Sequence, residues 1–305
     1  MTPAPATAWS VAFIRELIAG GVGYVVVSPG SRSQALALAA VAWERVPDSP
    51  LQVIVAIDER SAGFIALGLA IESGGIVACV STSGSAPAHY YPALLEALHQ
   101  GVGIIAVSAD RPEELHGVGA NQTTNQHEFY GPRIDSISVP APDAAAEASA
   151  LNAAAAALEA AARPGPVQVN VAFREPLSSK PPASTLGVPQ RDARGSAASS
   201  APVLEVTAEP GTIVIAGSGA GARAEQLARD LGSPLVAEVH SGARFGPHLV
   251  PRYREVLGEA ALRDSIRRVV TVGRPTLSRE VWALLSRADI EQIVVVGAET
   301  EPVNP

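Results

Sequence analysis

The sequence predicts an α/β protein with parallel sheets, arranged as two domains. Short apolar runs recur between longer segments of helical spacing: Tyr24–Val27, Val53–Ile57, Ile76–Val80, Ile104–Val107, Ile213–Ala216 and Ile293–Val296. A stretch with Pro176, Pro181, Pro182, Pro189 and Pro202 among Ser, Ala and Gly interrupts that alternation, which resumes at Thr212. The 305-residue length agrees with two domains of about 100–200 residues each.

Each element has a local reason. Trp9, Phe13, Ile14, Leu17 and Ile18 share one helical face, and Gly20-Gly21 stops that helix. The strand Tyr24–Val27 leads through Ser28-Pro29-Gly30 into an alanine-rich helix from about Ser33 to Arg45. Leu51–Ile57 reads as a buried strand, and Asp58 can cap a helix running to about Ser73. The strand Ile76–Val80 precedes the turn Ser81–Ser85 and a helix to about His99. Strand Gly103–Ser108, a loop, the alanine helix Ala144–Ala162 and strand Val167–Val171 complete the pattern. Near-continuous apolar strands joined by helices mean a parallel sheet covered on both faces. After the linker, strands are expected near Thr212–Ala216, Pro234–Val239, Arg268–Val272 and Gln292–Val296, with helices between.

Composition narrows the function classes. With 47% apolar and 17% charged residues the chain has ample core and is no disordered segment. A net charge of −8 without a basic block argues against a nucleic-acid partner. The single cysteine, Cys79, excludes an intrachain disulfide framework and a Cys-based zinc site. None of the apolar runs approaches the roughly 20 residues of a membrane span, and the N-terminus lacks the signature of a signal peptide, so a cytoplasmic location without membrane insertion is expected. The histidines show no metal-ligand spacing, and there is no G-x-S-x-G or Walker motif. Lys180 is the one lysine among 22 basic residues, so anion recognition falls to arginine forks.

Candidate chemistry sits on turns that follow strands, where open α/β sheets bind ligands. Ser28-Pro29-Gly30-Ser31-Arg32-Ser33 opens a helix and offers Arg32 to a carboxylate, although Ser31 and Ser33 also suit plain helix capping. Asp58-Glu59-Arg60 presents a carboxylate pair whose usual reading is helix cap and dipole charge, with a catalytic Glu59 as the alternative. Asp110-Arg111-Pro112 and Gly119-Ala-Asn121-Gln122-Thr-Thr-Asn125-Gln126 combine arginine and amides in a long loop, a suitable set for a polyoxygenated small molecule. Gly217-Ser-Gly219-Ala-Gly221-Ala222 fits G-x-G-x-x-G/A, with Glu238 about 20 residues on. That turn reads either as a dinucleotide site or as a tight βα turn in a chain rich in small residues.

Taken in register along residues 8–178, the motifs Ser28-Pro-Gly-Ser-Arg-Ser33, Asp58-Glu-Arg60, Thr82-Ser-Gly-Ser85, Ala109-Asp-Arg-Pro112, Gly119-Ala-Asn-Gln122 and Val169–Leu177 resemble one family. It is the thiamine-diphosphate-dependent 2-succinyl-5-enolpyruvyl-6-hydroxy-3-cyclohexene-1-carboxylate (SEPHCHC) synthases of menaquinone biosynthesis. The resemblance implies a pyrimidine-binding domain at 1–178, a linker at 179–202 and an incomplete, nucleotide-binding-like middle domain at 203–305. It implies a transferase that decarboxylates 2-oxoglutarate and adds the succinyl-semialdehyde unit to isochorismate. Glu59 would hydrogen-bond the cofactor's aminopyrimidine, helped by a dry pocket that raises its pKa, with Pro29 and Ser85 as walls. Ser31, Arg32, Arg111, Asn121, Gln122 and, in the middle domain, Arg279 would bind substrate. The family's Gly-Asp-Gly motif, which holds Mg2+ and the diphosphate in a third domain, does not occur in these residues. The resemblance therefore implies half of a site shared between chains of a homodimer or homotetramer, inactive by itself. Two other readings stand beside it: another thiamine-dependent 2-oxo-acid carboligase or decarboxylase, and a non-catalytic nucleotide-binding module using Gly217–Ala222.

Overall fold

The computed structural model describes residues 3–127, 129–163, 165–181 and 205–295. The chain divides into two compact units, residues 1–196 and 197–305. Apart from residues 179–181, the stretch expected as a linker lies outside the described residues up to its end at 202. Ser179 itself is tied to the N-terminal helix, donating its N–H to Thr7 Oγ1 at 2.8 Å.

In the first unit the elements run α1 (Pro5–Ala19), β1 (Tyr24–Val27), α2 (Gln34–Glu44), β2 (Gln52–Val55), α3 (Glu59–Ser73) and β3 (Val77–Ser81). They continue with a short 3₁₀ turn (Pro87–Tyr90), α4 (Tyr91–Gln100), β4 (Ile104–Asp110), β5 (Asp135–Val139), α5 (Ala146–Ala162) and β6 (Val167–Ala172). All six strands form one parallel sheet in the order β2-β1-β3-β4-β6-β5. Period-two alternation sorts the strand residues between two cores. Val25, Val27, Ala78, Val80, Ile105 and Val107 face α1, α2 and α5, whereas Val26, Val77, Cys79, Ile104 and Ala106 face α3 and α4. Trp9 anchors the first core, stacked on Phe13 at 4.6 Å and edge-on to Phe173 at 5.8 Å. Burial in the second core pushes the Cys79 thiol up to about 12, so it is an inert packing group.

Two expectations are corrected here. Leu51–Ile57 is not a buried strand: β2 is the sheet edge, Val55 is 64% exposed, and Ile57 beyond it is 86% exposed. A strand also occupies Asp135–Val139, in the stretch read as a loop. Its sequence, Asp-Ser-Ile-Ser-Val, alternates polar and apolar side chains because it is the other edge.

In the second unit the order is β7 (Thr212–Ala216), α6 (Gly221–Asp230), β8 (Leu235–Ala237), α7 (Tyr253–Gly258), α8 (Ala260–Arg263), β9 (Arg268–Val272), α9 (Arg279–Leu285) and β10 (Glu291–Val295). These strands make a parallel sheet in the order β10-β9-β7-β8. No helix among the described residues is long and apolar enough to cross a membrane.

Candidate active site

In an open α/β sheet the chain departs to opposite sides at the switch point, leaving a crevice beyond the carboxyl ends of the strands. In the first unit that point lies between β1 and β3, since β1 is flanked by β2 on one side and β3 on the other. The turns leaving β1, β2, β3 and β4 there carry nearly all the residues singled out from sequence.

Asp58 caps α3, its Oδ1 accepting the Ser61 N–H at 2.8 Å, and that backbone hydrogen bond holds its carboxyl below the usual range. Glu59 is the next residue and the first of the helix. Its carboxylate makes no hydrogen bond or ion pair with any described residue, because Asp58 already does the capping. Glu59 is half-buried, so the described residues do not form the dry pocket expected around it. Close by in the fold, the hydroxyls of Ser28, Ser81 and Tyr90 are buried without a hydrogen-bond partner of good geometry among the described residues. Burial raises the Tyr90 phenol well above its ordinary pKa, outweighing the opposing pull of the nearby Ser28 hydroxyl, and keeps it a proton donor.

Arg111 follows β4 and is buried. Its Nη1 donates to Ser83 Oγ and, at 3.1 Å, to the Gln122 carbonyl; its Nη2 donates to Asn121 Oδ1 at 3.2 Å. The Gln122 side chain returns along the same path, donating Nε2–H to the Ser83 carbonyl at 2.9 Å. Arg111 thus ties the turn after β3 to the Asn121–Gln122 loop and has Nε–H and one Nη2–H outside these bonds. Gly84 permits this closure: its φ is +86°, and a Cβ there would lie 2.7 Å from Gln122 Cγ.

Arg32 donates Nη1–H to the Phe173 carbonyl at 2.8 Å, and its Nε is buried without a partner among the described residues. Desolvation lowers the Arg32 pKa, and the neighbouring Arg111 charge lowers it further. Two guanidiniums on turns at a sheet's ligand-binding end can together receive an anion. Ser31, Pro29 and Ser85 lie exposed on the same set of turns, and Ser33 uses its hydroxyl on the Gly30 carbonyl at 3.2 Å. Arg279 is apart from these: it is exposed at the start of α9 in the second unit.

The family described as "Thiamine pyrophosphate enzyme, N-terminal TPP binding domain" matches residues 9–130, the segment that holds every one of these turns in the first unit. A SEPHCHC synthase of Leifsonia xyli subsp. xyli is 47% identical over 313 aligned residues, covering 99% of this chain and 52% of the relative. The chain is a homologue of these synthases. One from Clavibacter michiganensis subsp. michiganensis is 44% identical, and one from Thermobifida fusca 40%, each over 99% of this chain and 53% and 56% of the relative. The chain spans about half the length of the synthases it matches.

The second unit has a switch point of the same kind, between β7 and β9. Here the nucleotide reading is not favoured, because the chain fills its own crevice. Ser218 and Arg274 exchange backbone hydrogen bonds at 2.8 Å, and a Cβ on Gly217 would sit 2.0 Å from the Arg274 carbonyl carbon. The glycine that a pyrophosphate would need is required by the 273–275 turn instead. Glu238 is fully buried, and its carboxylate accepts the N–H groups of Thr276 (2.8 Å), Leu277 (3.1 Å) and Ser278 (2.8 Å) at the start of α9. It is a helix cap supplied from another strand, not a ribose ligand. Among the described residues no group of three His, Cys, Asp or Glu side chains could hold a metal ion.

The sequence motifs contain Ser83, Asp110, Gln126 and Asn170, but reading them did not reveal that these residues support Arg111 from behind. A signal existed in polar residues at alternate positions of apolar strands, Ser108 and Asp110 in β4, Gln168 and Asn170 in β6.

Proposed function

We propose that this chain supplies the aminopyrimidine-binding half and the anionic-substrate pocket of a thiamine-diphosphate-dependent SEPHCHC synthase. The observation that carries the reading is the location of an unengaged carboxylate, Glu59, and of Arg32 and Arg111 beyond the carboxyl ends of β2, β1 and β4 of one sheet. The residues suit that cofactor's ring: a carboxylate without a partner among the described residues and a row of buried, unpartnered hydroxyls. When bound, thiamine diphosphate supplies the reactive carbon and takes up the electrons released by decarboxylation of 2-oxoglutarate. Glu59 would hold a proton toward the aminopyrimidine ring nitrogen, and Pro29 and Ser85 would help to hold the ring. Arg32 and Arg111 receive the carboxylates of isochorismate, supported by Ser31, Asn121 and Gln122. Arg279, in the second unit, is the remaining basic candidate for substrate.

In this reading magnesium and the diphosphate are held elsewhere in such a synthase. A second copy of the protein completes the site, and the exposed apolar side chains Val55 on β2, Ile57 just after it and Phe64 on α3 give that copy a surface to cover. The proposed location is the cytoplasm. The test is an assay of a synthase that carries this chain together with the rest of its relatives' length. Isochorismate consumption should require both 2-oxoglutarate and thiamine diphosphate. Turnover without the cofactor, or with other 2-oxo acids and no isochorismate, would sink the reading.

A further inference from the structure

The sheet face beneath α3 and α4 is apolar at β1 and β3 but changes character at β4, β6 and β5. In register across these strands stand Ser108, Asn170 and Ser138, with Gln168 opposite Ser136 two residues earlier. Most of this polar patch is sealed from water: Ser108, Asp110, Gln126, Gln168 and Asn170 are all buried. Groups so buried are costly unless every donor and acceptor is matched, and here they are matched into one continuous chain. Asp110 Oδ1 accepts the Arg111 N–H at 2.7 Å, and Oδ2 accepts Asn170 Nδ2–H at 2.8 Å. Asn170 Oδ1 accepts from Ser108 Oγ and from Gln126 Nε2, both at 2.8 Å. Gln126 Oε1 accepts the Gly84 N–H at 2.7 Å. Gln168 braces the assembly, donating to Ser108 Oγ at 3.1 Å and to the Gln126 carbonyl at 3.0 Å. His116 closes the other side, its Nε2–H donating to the Arg111 carbonyl at 2.9 Å.

The chain begins at the backbone of Arg111 and ends at the backbone of Gly84, beside Ser83, which receives the Arg111 guanidinium. It also places the Asp110 carboxylate where its charge acts on Arg32. We propose that Asp110, Asn170 and Gln126 are positioning residues that fix Arg111 and the Ser83–Gly84 turn from behind and set one buried negative charge against the Arg32–Arg111 pair. The proposal rests on the reading of that pair as the anionic-substrate pocket. None of the three touches substrate; they act through Arg111 and the turn.

Hydrogen-bond polarity makes the idea testable. Asp110→Asn sets an amide N–H against the Asn170 N–H, and flipping Asn170 only moves the mismatch to Gln126. The exchange Asp110→Asn with Asn170→Asp restores every bond. The amide now at position 110 accepts from the Arg111 N–H and donates to the carboxylate now at position 170. That carboxylate in turn accepts from Ser108 and Gln126. In the 305-residue chain, hydrogen exchange of the Gly84 amide should quicken at least tenfold in Asp110→Asn and return to within threefold of the unsubstituted rate in the exchanged pair. In the synthase, Asp110→Asn should raise KM for isochorismate at least tenfold with a smaller change in kcat, and the pair should recover most of it. Unchanged Gly84 exchange and KM in Asp110→Asn would overturn the proposal. So would a pair as impaired as the single variant, or one that fails to fold where the single variant also fails. If the unsubstituted synthase does not use isochorismate, the functional reading falls, while Gly84 exchange still decides the positioning claim.

Discussion

Replacing Glu238 separates a folding role from a ligand role in the second unit. Its carboxylate serves the N–H groups of Thr276, Leu277 and Ser278, but these differ in exposure. Thr276 and Leu277 are exposed and can turn to water, whereas Ser278 is buried and cannot. Glu238→Ala therefore strands one buried amide, exchanges two charge-assisted bonds for water, and leaves a void; together about 3–5 kcal/mol is expected. Glu238→Gln keeps one acceptor oxygen and turns an N–H2 toward the remaining donors, costing about 1.5–3 kcal/mol. The assay is urea unfolding of the second unit, followed by hydrogen exchange at the Ser278 amide, alongside titration with NAD and ADP. Stability should fall in the order unsubstituted, Gln, Ala, with no saturable nucleotide binding in any of them. A ribose-binding acid would give the opposite result. Glu238→Ala would then unfold like the parent protein and would abolish a micromolar nucleotide affinity that the parent shows, which would refute the filled-crevice argument.

Other expectations follow from the first unit. Arg32→Ala and Arg111→Ala should each weaken use of isochorismate by about 1.5–3 kcal/mol, read as kcat/KM in the synthase. Arg111→Ala should in addition loosen the Asn121–Gln122 loop, visible as faster exchange there, because it removes the bonds to Ser83, Gln122 and Asn121. Unchanged kinetics in both variants would remove the pair from the pocket. At the surface, Arg174 holds the Glu114 carboxyl at a pKa of about 2 through paired hydrogen bonds at 2.6 and 2.9 Å. A folded-state pKa below the unfolded one means this contact stabilises above the ordinary glutamate range and is lost as pH falls toward 2. Arg174→Ala should return the Glu114 carboxyl, followed by NMR titration, to roughly 4, the ordinary glutamate value; a pKa that stays near 2 would contradict the assignment.

Much of the fold was legible in the sequence because parallel strands buried on both faces leave unbroken apolar runs. Tyr24–Val27, Thr212–Ala216 and Arg268–Val272 are strands over those same residues, and Asp58 caps α3 as its position implies. The edges were harder to read. Leu51–Ile57 is as apolar as an interior strand, yet β2 is an edge with exposed side chains, while β5 is too polar to be recognised. The Gly217 turn has the residue pattern of a phosphate cradle, and only packing shows that the 273–275 backbone fills it. Within the site, residues near a strand end were visible as local motifs. The supports were not, because Gln126 lies 44 positions from Asn170, and Asn170 lies 60 from Asp110. The polar alternation in β4 and β6 marks the positions, but contacts of that separation leave no pattern that shows which of them pair.

Glu59→Gln, made in a synthase, decides whether this carboxylate takes part in the reaction. Since Asp58 does the capping and Glu59 has no partner among the described residues, stability should change by less than about 1 kcal/mol, the scale of a first-turn helix charge. Isochorismate consumption should fall by about 10²–10⁴-fold, the range attributed to a positioned acid–base group. A folded Glu59→Gln synthase that turns over within threefold of the unsubstituted enzyme would contradict the account.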